Sequence, residues 1–227
     1  MIGVMTLYRS SVGKKAVMAV TGLIWIGFII FHMYGNLKVF GGSAYFNEYS
    51  EGLREIGAPI FGHTHLLWLA RIVLLGAIVL HIWAAIDLSR QSLLGRPMRY
   101  SKFTTIQATF ASLTMRWGGA VIFFFIIYHL LHFTFGTPGI HNDFIPGDPY
   151  HNLVTGFQFI PASIFYILGV IALGFHLYHG TWSMFQTLGF NNQTYTKPIR
   201  ALALIFALVI ALGFISIPVA VMVGIVS

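Results

Sequence analysis

The 227-residue sequence contains no cysteine, which excludes disulfide staples, iron–sulfur ligation, thiolate zinc sites and covalent c-type haem attachment together. Charge is almost as scarce, at 8% of residues against the roughly 25% of a soluble domain, so a water-facing fold is excluded. Acids number only six against thirteen Lys and Arg, yet the cations are scattered through loops and do not form the basic face that nucleic-acid binding needs. No internal repeat or low-complexity tract breaks the chain, and no room is left for a soluble domain. We read residues 1–227 as one membrane domain.

What the sequence does have is apolar length. Hydrophobic residues make up 57%, and five stretches, approximately 16–40, 66–88, 110–136, 157–188 and 199–224, could each cross about 30 Å of hydrocarbon. Each must be helical, because backbone donors and acceptors find no water inside lipid. The first stretch follows Arg9, Lys14 and Lys15 as a signal peptide would, but it is about twice too long and lacks a small-residue cleavage site, so a retained span is expected. Lys and Arg cluster at the N-terminus, in the second connection (Arg90, Arg96, Arg99, Lys102) and in the fourth (Lys197, Arg200). The positive-inside rule then predicts a cytoplasmic N-terminus and an external C-terminus.

Ten histidines are many for so apolar a chain. His63, His65, His141 and His151 fall in expected outer loops, whereas His32, His81, His129, His132, His176 and His179 fall within the first four spans. His32 and His129 come late on outward-running helices, and His81 and His176 late on inward-running ones. The helical rise puts these two levels roughly 15 Å apart. Each level offers imidazoles from two helices, the donor set of a six-coordinate b-type haem that transfers electrons and leaves no open site. Glycines at 22, 27, 35, 76, 118, 119, 169 and 174 could let a macrocycle pass close to backbone. His129/His132 and His176/His179 are spaced i,i+3, so periodicity leaves open which of each pair is the ligand. The spare ring could serve a propionate, orient a ligand or line a quinone pocket.

At these residues the chain resembles the single-subunit, five-helix, di-haem cytochrome b anchors of succinate:quinone oxidoreductases and quinol:fumarate reductases. The pieces that carry the resemblance are FHMYGNL at 31–37, LHIWAA at 80–85, TMRWGG at 114–119 leading to YHLLHFTFG at 128–136, and FHLYHGTWSMFQTLG at 175–189. The resemblance implies that His32 pairs with His129 at an outer haem and His81 with His176 at an inner one. It thereby selects His129 over His132 and His176 over His179. It further implies a prokaryotic cytoplasmic membrane, a flavoprotein partner, an iron–sulfur partner that delivers electrons to the inner haem, menaquinone as acceptor, and possible oligomers of the whole complex. The architecture implied is a four-helix haem-binding core with the last span as a scaffold.

Several further residues are singled out by position. Arg71 precedes His81 by ten residues, near the outer level, where its guanidinium could neutralise a propionate or else snorkel to headgroups. Arg116 could serve an inner propionate or a quinone carbonyl, or anchor the helix end. Quinone candidates are Arg9, Ser10, Ser11 and Lys14 on the inner side, and Glu51, Glu55, His63 and His65 on the outer. His141, Asp143, Asp148 and His151 could form a surface metal site, or simply a solvated loop. Two rival readings are a His-lined proton-coupled transporter, which inverted repeats do not support, and a di-haem anchor for another quinone-linked dehydrogenase.

Overall fold

A computed structural model describes residues 10–95, 110–190 and 192–227. Its elements are α1 (Ser11–Leu37) with a 3-10 turn at Lys38–Gly41, α2 (Ser43–Glu55), α3 (His65–Leu94), α4 (Phe110–His129) continued by a π turn at Leu130–Thr134, α5 (Pro149–Gln158), α6 (Ile160–Thr187) and α7 (Thr196–Met222). No strand occurs among the described residues. Five stretches are long and apolar enough to span a membrane: Ser11–Gly41, His65–Leu94, Met115–Thr134, Ile160–Thr187 and Thr196–Met222. The fold is therefore all-helical with five spans, as expected from the apolar runs.

Two short helices were not anticipated. α2 and α5 lie in the first and third connections and cover one end of the bundle, here the capped end. Asp148 caps α5 by accepting from His151 N at 3.0 Å, and Pro149 occupies the first turn, where a missing N–H costs nothing. Asn47 of α2 ties the two together, donating to Asp148 Oδ1 at 2.9 Å and accepting from Tyr150 N at 2.9 Å. The expected span 157–188 is corrected accordingly. The chain leaves helical geometry at Phe159 (ψ 96°), and α6 restarts at Ile160 with Pro161 in its first turn. Buried Ser163 donates to Phe157 O at 2.6 Å and satisfies the broken turn.

The five spans assemble as two pairs around a wedge. α3 packs on α1, α4 packs on α6, and α7 packs on both α6 and α1. Small residues allow this: Ala203 and Ala207 of α7 are buried, and Gly213 leaves the space that Met33 of α1 fills. The expected scaffold helix thus packs one face against both pairs and leaves the other exposed. Among the described residues, backbone contact of α1 with α4 and of α3 with α6 is at most slight. α1 also meets α6 directly, while α1 with α4 and α3 with α6 meet mainly through side chains.

The opposite end carries Lys14, Lys15, Arg90 and Arg200 and is here the basic end. Ser10 caps α1, accepting from Gly13 N at 3.0 Å. Buried Lys14 forms an ion pair with Asp87 across α1 and α3. That pairing brings together the one acid on this side and a cation 73 positions earlier.

A candidate centre of paired imidazoles

The imidazoles meet across the two gaps. At the capped end the rings of His32 (α1) and His129 (α4) have centroids 5.8 Å apart, their planes at 83°. At the basic end His81 (α3) and His176 (α6) stand 6.3 Å apart at 57°. The two levels share helices, which allows their separation to be measured twice. Thr21 and Gly22 of α1 touch His81 and precede His32 by about ten residues, or roughly 15 Å of helix. Tyr166 of α6 touches His129 and precedes His176 by ten residues, again roughly 15 Å.

Geometry also separates the i,i+3 pairs. The π turn beginning at Leu130 adds a residue to the turn, so His132 does not follow His129 toward His32. It is 1% exposed and lies against Phe133 and His141, with ring centroids at 4.2 and 4.7 Å. In α6 the helix stays regular. His176 faces His81, while His179 meets Trp182 edge-on at 5.9 Å.

The surroundings of the rings differ from level to level. Phe28 stacks on His32 at 5.1 Å, Phe125 on His129 at 6.2 Å, and Phe214 lies 5.8 Å from His32. Phe125 seats on Gly169, where a side chain would collide with the ring. The Asn36 amide lies 3.4 Å from both nitrogens of His32 while donating to its carbonyl at 2.8 Å. At the basic end Thr21 Oγ1 donates to Val17 O at 2.7 Å, so its lone pair at 3.1 Å accepts from His81 Nδ1–H. Nε2 of His81 is then the ring's lone-pair nitrogen. Buried Nδ1 atoms of His176 and His179, with Thr181 Oγ1 and Trp182 Nε1, have no hydrogen-bond partner.

The other sequence candidates are placed individually along the bundle. Arg71 is exposed and its guanidinium lies 4.8 Å above Trp68; ten residues of helix turn it about 80° from His81. Arg116 is exposed beside Trp117. Ser10 is the α1 cap and Lys14 is engaged by Asp87, while Arg9 lies outside the described residues. Glu55 joins Glu51 and His63 in an exposed cluster at the capped end, with ligand atoms within 4.8 Å of one another. His63 and Arg54 beside Glu51 hold its carboxyl below the usual range. His141, Asp143, Asp148 and His151 do not gather into a metal-binding group, and three of the four side chains are engaged elsewhere. His141 is buried, approaching His132 O at 3.2 Å and Thr155 Oγ1 at 3.1 Å. Asp148 is a helix cap, and His151 Nε2 donates to the backbone oxygen of Asp143 at 3.0 Å.

Sequence reasoning missed Thr21, Tyr166 and the Lys14–Asp87 pair. A signal for the first two existed: each hydroxyl lies about ten residues before an intramembrane histidine on the same helix, and so at the level of the other pair.

Comparison with known proteins bears on one half of the chain in particular. No curated protein and no solved structure matches it. A family model described as the succinate dehydrogenase/fumarate reductase transmembrane subunit matches residues 92–212, just over half of the sequence, taking in α4, α5, α6 and most of α7. The five apolar spans agree with that match, and the chain belongs to the family of succinate dehydrogenase/fumarate reductase transmembrane subunits.

Proposed function

We propose that this subunit anchors the complex in the membrane and carries electrons through two bis-histidine haems b, between an iron–sulfur partner and menaquinone. The observation that carries the reading is the opposition of imidazoles at two levels. Two nitrogen donors on opposite sides of one metal, each bonded at about 2 Å, bring ring centroids to roughly 6 Å. The pairs stand at 5.8 and 6.3 Å. The donor chemistry agrees too, since neutral imidazoles suit iron and Thr21 directs Nε2 of His81 outward from its own hydrogen bond. So does the spacing of α1 from α4 and of α3 from α6, which brings few backbone positions close together. Added Cβ atoms at Gly27, Gly76 and Gly118 would touch nothing within 4 Å.

Haem held by these histidines would supply one-electron transfer. The chain's own residues do the rest. His32 and His129 close the capped level, where α2, α5 and the Phe28, Phe125 and Phe214 rings exclude water. His81 and His176 close the basic level, the side expected to face the cytoplasm and the iron–sulfur partner. His179, one turn beyond His176, has a buried Nδ1 ready to pair with a propionate or quinone oxygen. Glu55, exposed beside Glu51 and His63, is placed to exchange protons with solvent at the capped end. Lys14 and Ser10 support the N-terminus of α1 and, by their engagements, bear less directly on a quinone than Glu55 does.

The test is colour and stoichiometry. The purified protein is expected to give a reduced-minus-oxidised b-type spectrum and two haems per chain by pyridine haemochrome, with reduction of a menaquinone analogue faster than of a ubiquinone analogue. A folded, colourless protein overturns the haem reading and leaves an anchor without an electron path.

A further inference from the structure

Tyr166 is 6% exposed on α6, and its hydroxyl lies 3.2 Å from Nδ1 of His129 and 3.2 Å from Nδ1 of His132. A phenol has one proton to give, so it donates to one ring and accepts from the other. The direction is decided by the ring opposite His32. An imidazole that offers Nε2 to a metal carries its proton on Nδ1. His129 Nδ1–H therefore donates to the Tyr166 oxygen, and Tyr166 O–H donates to Nδ1 of His132. The opposite sense would put the His129 proton on Nε2, between the two facing rings.

The acceptor at the end of this chain is fixed in place. His132 is held by the π turn, is almost completely buried, and its carbonyl is approached by His141 Nδ1 at 3.2 Å. His32 has no comparable arrangement, because the Asn36 amide stands equally far from both its nitrogens. Among the described residues, His129 is thus the ring of the capped pair whose tautomer is set by a directed hydrogen bond.

We propose that Tyr166 is a positioning residue for the capped iron site: it fixes the tautomer and orientation of His129 through a relay running His129 to Tyr166 to His132, and so sets the reduction potential of that site. The inference rests on the haem reading above. The physical reason is polarisation. A hydroxyl that is itself donating is a better acceptor, and it draws Nδ1–H electron density back into the ring. A more basic imidazole favours the ferric over the ferrous state, which lowers the potential. Thr21 is the counterpart at the basic level, accepting from His81 Nδ1 while donating to Val17 O.

The experiment is a spectropotentiometric titration of the purified complex, with the capped component identified as the one that His32→Ala abolishes. Tyr166→Phe is expected to keep both haems and raise the potential of the capped component alone. A change of about tenfold in its oxidised-to-reduced equilibrium corresponds to 59 mV for one electron. Thr21→Val is expected to shift only the basic component. His132→Phe removes the acceptor without touching Tyr166 and is expected to give a smaller shift in the same direction. It also serves where Tyr166→Phe loses haem. The proposal is overturned if the capped potential stays fixed in both Tyr166→Phe and His132→Phe with two haems bound, or if both components move equally. Haem absent from the wild-type protein would instead bring down the reading beneath it.

Discussion

The capped and basic ends use the same arrangement, two facing imidazoles with one of them hydrogen-bonded to a hydroxyl, in opposite settings. At the capped end the pair lies under two extra helices, among phenylalanines, and beside a contiguous core that includes Val39, Phe46, Leu153, Val154, Phe157 and Tyr166. A smaller core of Ile29, Leu177, Ala207 and Ile210 joins α1, α6 and α7, and at the basic end polar atoms of His176, His179, Thr181 and Trp182 go unpartnered along one stretch of α6. A buried donor without an acceptor costs about 1–3 kcal/mol. The difference shows where the chain completes its own packing and where its polar groups stand ready for something else.

The largest effects should come from breaking one level while sparing the other. His32→Ala or His129→Ala should cut haem content from two to one per chain and delete one spectral component, and His81→Ala or His176→Ala should delete the other. Haemochrome and difference spectra on the four variants decide it; loss of the same component from both sets would refute the pairing.

A smaller effect should confine itself to the cap. His151 N–H and the Asn47 amide hold the Asp148 carboxyl below its ordinary value of 3.8. A group with a depressed folded pKa stabilises above its unfolded value, and the contribution is lost as pH falls through the folded one. Asp148→Ala should therefore cost about 1 kcal/mol at pH 7. The gap from wild type should narrow steadily below pH 4, as read by thermal unfolding in detergent. A gap independent of pH would mean that the carboxylate charge contributes nothing to the cap.

The smallest effect sharpens the contrast. Thr181→Val at the basic end removes a buried hydroxyl that has no partner and keeps the volume, so unfolding should change by less than about 0.5 kcal/mol or move toward greater stability. A loss above 1 kcal/mol would show that the hydroxyl is satisfied after all.

The spans and their count were legible because hydrocarbon thickness and helical rise leave little freedom. The juxtaposition of His32 with His129 and of His81 with His176 was legible for the same reason, since depth along a helix follows from residue number. Rotation about the helix axis does not. Arg71 shares a depth with one pair but turns to Trp68, and the choice between His129 and His132 depends on a π turn that an i,i+3 spacing does not reveal. The break before α6 was hidden inside a continuous apolar run, with Pro161 its sole mark. α2 was read as a loop because its pattern is short and mostly polar. Lys38 fastens it, donating to Tyr45 at 2.6 Å and lying 4.4 to 4.8 Å from the rings of Tyr34, Tyr45 and Tyr49, which no local pattern foretells.

α7 contributes no imidazole, yet it stands between α1 and α6, each of which lends a ring to one level and an orienting hydroxyl to the other. Its alanines act as a gauge block, setting a clearance on which two distant centres rely simultaneously. An extra methyl group there would spoil both tolerances by one displacement, so residues devoid of chemistry carry the strictest dimensional demand in the bundle.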